Sequence, residues 1–283
     1  MNKPILKAST LLATLLISGA ALSAIVSATT IGGDYTSSAN LTLEAGEGPT
    51  TPLDPENPDD PITPEIPGTG GEGGNLTVDY GSTLFFGKQS ISSQAATYYA
   101  HPDLVRDSGS HVKAVPLYAQ VTDQSGELAG WTLTLTQAAQ LHLGSGSDTD
   151  PGYALNGATI NFSGGTIVGG YGLEDGVPST FVESGTLIPG HAVQLVGAGN
   201  GEGAGTWLYH FGAIGDYDTS AVNTADTSDH TGKATKSPIT LTIPAGVVQK
   251  AAAYSTELYW SLQAVPGGDW TGETDAKDVI PAP

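Results

Sequence analysis

Cysteine is absent from the 283-residue sequence, and basic side chains are scarce: nine Lys and Arg against 29 Asp and Glu, a formal net charge of -20. Without cysteine there is no disulfide framework, thiolate metal site, thiol nucleophile or lipid-modified N-terminal cysteine, so a packed core must hold the fold. Nucleic-acid affinity comes largely from Lys and Arg displacing counterions, which excludes that class of partner. Charged residues make up 13% of the chain, about half the share of roughly 25% usual in soluble domains. Glycine, serine and threonine are abundant instead, a composition suited to all-β extracellular modules.

Long apolar runs are also lacking, with one exception at the start. Residues 1–28 read as a secretory signal: Lys3 and Lys7 precede the apolar stretch Leu11 to Ala24, and Val26-Ser27-Ala28 offers small residues for cleavage before Thr29. An uncleaved anchor is the alternative, but the Ser and Thr content and the cleavage site favour removal. No membrane span is then expected in the mature chain. Cleavage removes two lysines and no acid, leaving seven basic and 29 acidic residues, a net charge of -22.

Residues 29–43 form a short segment in which Leu41 and Leu43 flank Thr42, a strand signal of about three residues. Residues 44–74 read as a linker. Glu44, Glu47, Asp54, Glu56, Asp59, Asp60, Glu65 and Glu72 have no basic partner there, and a proline falls at every third position from Pro49 to Pro67. That period matches a turn of polyproline helix and the like charges repel, which predicts a solvated, semi-rigid spacer.

Residues 75–266 read as one β domain. Val112 to Val121, Trp131 to Thr136, Ala158 to Phe162, His191 to Val196, Thr206 to Phe211, Ile239 to Ile243 and Tyr254 to Ala264 are rich in β-branched or aromatic residues, several with period-two alternation. Asn156-Gly157, Gly164-Gly165, Gly169-Gly170 and Asn200-Gly201 supply turns between them. The expectation is an all-β fold, an antiparallel β-sandwich of about ten strands.

Two strands carry a Trp-x-Leu triplet, Trp131-Thr132-Leu133 and Trp260-Ser261-Leu262, and alternate residues of a strand share a face. Trp131, Leu133 and Leu135 therefore point together, opposite Thr132, Thr134 and Thr136; Tyr254, Leu258, Trp260 and Leu262 do the same, opposite Glu257, Tyr259 and Gln263. Both strands read as half buried. Indoles beside leucines usually pack inward, yet a sheet rich in Trp, Tyr and Thr can also stack on sugars or grip a protein. A third strand with Trp207, Tyr209 and Phe211 suits either role.

Several segments in order carry a resemblance: Leu84-Phe85-Phe86-Gly87, Val121-Thr122-Asp123, Gly130-Trp131-Thr132-Leu133, Gly203-Ala204-Gly205-Thr206-Trp207, and Tyr254 to Leu262 followed by Pro266. With the signal and the Pro/Asp-rich stretch behind it, the chain resembles the WxL-domain cell-surface proteins of low-GC Gram-positive bacteria over nearly its whole length. Tyr259 departs from the small polar residue expected there, and residues 267–283, with Trp270, form an additional acidic tail. The resemblance implies a secreted, non-enzymatic protein held non-covalently at the cell wall, with a domain that binds peptidoglycan. It also implies, in some systems, partner surface proteins of the same or a neighbouring kind. The candidate contacts are Trp131, Leu133, Trp260, Leu262, Trp207 and Tyr209. Independently of family, a chain at -22 is repelled by an anionic wall, so retention should rest on stacking, hydrogen bonds or bridging cations.

Asp107-Ser108-Gly109-Ser110-His111 combines a carboxylate, a hydroxyl and an imidazole, but these are ordinary turn formers. Gly199 to Ala204 matches a dinucleotide fingerprint as a string, yet it leads into a strand rather than a helix. Asp148 and Asp150, and the group Asp216, Asp218, Asp226 and Asp229, read as solvated loops without EF-hand spacing; calcium is the one ion they could hold, and no cofactor is expected. A glycan-processing enzyme remains the rival from another class, requiring two carboxylates on one cleft.

Overall fold

The computed structural model describes residues 35–68 and 74–264, so the expected signal and acidic tail lie outside the described residues. The chain divides into two compact units, residues 1–42 and 43–283. In the first, residues 35–42 are irregular and exposed. The short strand expected at Leu41 to Leu43 does not form, and both leucines are exposed.

The second unit is all-β and its sheets are antiparallel, as expected. One four-stranded sheet has the order β11 (Gly165–Gly169), β15 (Gly205–Phe211), β8 (Tyr118–Asp123), β4 (Leu76–Gly81). A second runs β12 (Thr180–Phe181), β14 (Ala192–Ala198), β9 (Trp131–Gln137), β17 (Leu258–Gln263). The third runs β13 (Gly185–Leu187), β10 (Thr159–Phe162), β16 (Ile239–Ile243), β5 (Ala96–Tyr99). The alternation in these sequences explains the faces: Ile239, Leu241 and Ile243 of β16 are buried while Thr240 and Thr242 between them are half-buried.

The three sheets stand in a propeller-like ring rather than as the two layers of a sandwich. The reason is a shared core: Val121 and Trp207 from the first sheet, Leu133 and Leu195 from the second, and Ile160, Phe162 and Leu241 from the third belong to one buried cluster. The expected strand Val112 to Val121 is broken in two, because Pro116 has no N–H to give a ladder; β7 (Val112–Val115) ends before it and β8 begins after it. With β3 (Thr63–Pro64) and β6 (Asp103–Arg106), β7 forms a small sheet over a second buried cluster that includes Leu53, Ile62, Tyr80, Val105, Tyr118 and Leu208.

That second cluster corrects the spacer reading for residues 48–66. This stretch is an arm folded onto the domain, with β1 (Leu53–Asp54) pairing β2 (Asn57–Pro61) and β3 pairing β6. Pro58, Pro61 and Pro64 fall in short edge strands, where a missing N–H is tolerated, and Pro49, Pro52 and Pro55 lie outside the strands. Leu53 and Ile62, isolated between prolines, are both buried. Burying each is worth about 1.5–3 kcal/mol, whereas repulsion between solvated charges is about 1 kcal/mol at 4 Å. Burial therefore wins. Polar bonds fix the register: Leu53 N donates to Gln120 Oε1 at 2.8 Å, Thr50 N and Oγ1 donate to Asp79 at 3.0 and 2.8 Å, and Asp54 pairs with Lys113. Arg106 meets Glu65 at 2.6 Å.

Candidate functional site

Trp131 opens β9, an inner strand of its sheet. It is buried, with Leu133 and Leu135 on the same inward face. The opposite face, Thr132, Thr134 and Thr136, is buried as well, so β9 is covered on both sides rather than half buried. The Trp131 indole N–H donates to Gly203 O at 2.9 Å, and the buried Trp207 donates to Ala204 O at 3.0 Å. Two indoles thus brace one turn, the glycine-rich 199–204 segment that leads into strand β15. Gly203 has φ +79, and a Cβ there would stand 2.4 Å from Trp131 Nε1, so glycine is required on two counts. Tyr209 is buried too; its hydroxyl donates to Val182 O at 2.6 Å, and burial pushes its phenol well above the ordinary value.

Trp260 is placed differently. It lies on β17, an edge strand, opposite Leu135 of β9 and beside β4 of the neighbouring sheet. A Cβ on Gly81 of β4 would stand 2.6 Å from the indole, so this glycine makes room for the ring. Trp260 is half-buried, and among the described residues its N–H donates no hydrogen bond. It borders a narrow recess with Ser82, Leu135, Phe162, Phe211 and Leu258, with room for about one water. Leu262, also half-buried, packs against the same core, opposite Leu133. On the other face of β17, the Tyr259 hydroxyl donates to the Glu257 carboxylate, a bond that raises the Tyr259 pKa.

The six candidates are therefore not brought together as one exposed surface. Trp131, Leu133, Trp207 and Tyr209 face inward, while Trp260 and Leu262 sit at the seam between two sheets.

The other polar groups close turns. His111 Nδ1 is 3.4 Å from Asp107, whose other oxygen accepts the His111 N–H at 2.8 Å. Asp218 accepts from both Ser220 and Thr235, which holds its carboxyl at about 2. Asp226 binds Ser228, Asp229 binds Thr231, Asp216 caps Ala213, and Asp150 takes the Ser147 N–H. Among the described residues no three His, Cys, Asp or Glu converge to hold a metal.

Two carboxylates escaped the sequence reading. Asp79 accepts from Thr50, Thr77, Gln120 and Thr122 and so ties the arm to β4 and β8. Asp103 is sealed in the second cluster, accepting from Tyr80 and Ser82 hydroxyls at 2.6 Å each, and burial pushes its carboxyl up to about 6. Its place in Pro102-Asp103-Leu104 carries no sequence signal, since a lone acid between turns reads as exposed.

The profile of the WxL domain, described as surface cell wall-binding, matches residues 30–266. The chain belongs to this family, which is one of binding domains rather than enzymes, and is a cell-surface protein attached to the wall. No curated protein and no solved structure matches.

Proposed function

We propose that the chain is exported and held non-covalently on peptidoglycan, with Trp260 at the β4–β17 seam as the ring that stacks on the glycan and Leu262 as its support. Trp131, Leu133, Trp207 and Tyr209 shape the sheets that present it. The observation that carries this reading is the state of the Trp260 indole, half-buried on an edge strand with its donor unspent among the described residues. Indoles stack on the apolar faces of sugars and use the N–H at their rim. The adjoining recess is too narrow for a sugar ring, which favours surface stacking over enclosure. Stacking also suits a chain with 29 acids that must approach an anionic polymer.

The test is co-sedimentation of the mature chain with peptidoglycan stripped of protein. Wild type should pellet, Trp260→Ala should stay in solution with native near-UV circular dichroism, and no reducing ends should appear. A folded wild type that stays in solution, or a Trp260→Ala variant that pellets as well as wild type, would overturn the proposal. Release of reducing ends would favour the glycan-processing rival.

A further inference from the structure

The seat of Trp260 is held by a carboxyl in another sheet. Gly81, which makes room for the indole, lies between Tyr80 and Ser82, and both of these donate their hydroxyls to one oxygen, Oδ2 of Asp103, at 2.6 Å each. Ser82 also lines the recess beside Trp260. Its hydroxyl accepts the Tyr118 N–H at 2.9 Å and its own N–H donates to Tyr118 O at 2.9 Å, which locks it to β8 as well. The stretch of chain against the indole is therefore pinned on both sides of Gly81 to a single group on β6.

That group has no countercharge. Asp103 is 6% exposed, and among the described residues no cation pairs with it. Three phenols face it from three elements, Tyr80 of β4, Tyr118 of β8 and Tyr217 after β15, and burial keeps all of them well above the ordinary phenol value, so they stay neutral. The Tyr118 hydroxyl is buried without a hydrogen-bond partner among the described residues. The arm adds Asp54, which acts on Tyr118 as Asp103 does and is taken up by Lys113 of β7. Arg106, further along β6, is held by Glu65, and His101, before β6, has its Nε2 at 2.9 Å from Gly232 O. Burial thus outweighs the two hydroxyl bonds and pushes the Asp103 carboxyl up to about 6.

A neutral carboxyl suits such a site and a charged one does not. Losing the proton leaves a bare anion in an apolar cluster. Admitting water to it relieves the cost, and that disturbs the Tyr80 to Ser82 stretch whose hydroxyls hold the carboxyl. We infer that Asp103 is a positioning residue for the Trp260 seat and that its proton controls wall retention, strong while the carboxyl is neutral and weaker once it is charged. The inference rests on the reading of Trp260 as the wall contact. Proton and wall then support each other's binding, as linkage requires.

The test labels the full chain with fluorotryptophan, assigns Trp260 by the resonance lost in Trp260→Phe, and follows it by fluorine NMR from about pH 4 to 8, without wall material. In wild type the Trp260 resonance should shift with a midpoint at about 6. In Asp103→Asn, which still accepts a hydroxyl but cannot ionise, it should stay in place. Tyr80→Phe removes a donor to the carboxylate and should move the midpoint upward. Co-sedimentation with protein-free peptidoglycan should then weaken at least about fivefold across the same range in wild type, the low end of coupling between two sites. Asp103→Asn should lose that dependence. A Trp260 resonance that does not titrate, one that titrates unchanged in Asp103→Asn, an unmoved midpoint in Tyr80→Phe, or the same retention profile in wild type and Asp103→Asn would overturn the inference. The histidines and the charge of the wall are common to wild type and variant, so any change they cause survives in Asp103→Asn. A chain whose Trp260 titrates but which sediments at no pH would overturn the wall reading, and with it the control of retention, while the clamp on the ring stands.

Discussion

Two Trp-x-Leu triplets lie on adjacent strands of one sheet and meet very different surroundings. Trp131 sits on β9, flanked by β14 and β17, and is buried with its indole donor spent on Gly203. Trp260 sits on β17 at the sheet's edge, half-buried, with a glycine cleared beneath it. The same triplet thus lies wholly within the core in one strand and half-buried at its edge in the next. What separates them is position in the sheet, because an inner strand is covered by neighbours on both sides and an edge strand is not.

The comparison breaks hardest at Trp131. Replacing it with alanine should cost about 3–5 kcal/mol, the range for large aromatics in a core, as measured by guanidinium denaturation. If Trp260→Ala costs as much, the distinction between the two triplets fails. The choice of pH sharpens the measurement. Asp103 holds its proton to about 6 in the fold against the ordinary 3.8, so the folded chain binds that proton more tightly. Its contribution is fully present below pH 3.8 and is lost as pH rises to about 6. The loss is about 3 kcal/mol, and Asp103→Asn should flatten that part of the stability profile. Tryptophan variants are best compared above this window.

Gly203→Ala should cost about 1–3 kcal/mol by overpacking against Trp131, and should shift Trp131 fluorescence while leaving wall retention per folded molecule unchanged. The smallest expected effect on stability is at the edge. Gly81→Ala should cost less than about 1.5 kcal/mol, since the half-buried indole can swing away. It should nevertheless weaken co-sedimentation with peptidoglycan; unchanged retention would show that the seam does not hold the ring for binding.

Much of this was legible in the chain. Ile239 to Ile243 forms a strand at both predicted ends, and β9 and β15 lie within a residue of their expected bounds. Short strands such as β12 and β13 left no signal, because two or three residues show no periodicity. The arm was misread because seven evenly spaced prolines and the acids among them outweighed Leu53 and Ile62, whose burial depends on partners far along the chain. The two tryptophans could not be told apart for a similar reason. Trp131-Thr132-Leu133 and Trp260-Ser261-Leu262 alternate alike, and which strand ends a sheet is decided by pairings remote in sequence.

The arm also bears on the order in which the chain takes shape. Leu53 waits for Gln120, 67 residues later, and Glu56 for the Ile214 N–H, 158 residues later. The bond from Thr134 to Ser261 O spans 127 residues. Closures this distant are slow to form and cannot precede the synthesis of their far partners. A chain that emerges from its N-terminus cannot complete the contacts of its proline-rich start until Ile214 has arrived. The low hydrophobicity and high charge of that start keep it soluble and extended during the wait. A segment that reads as a spacer thus gains its last contacts only once β15 and the loops after it are in place.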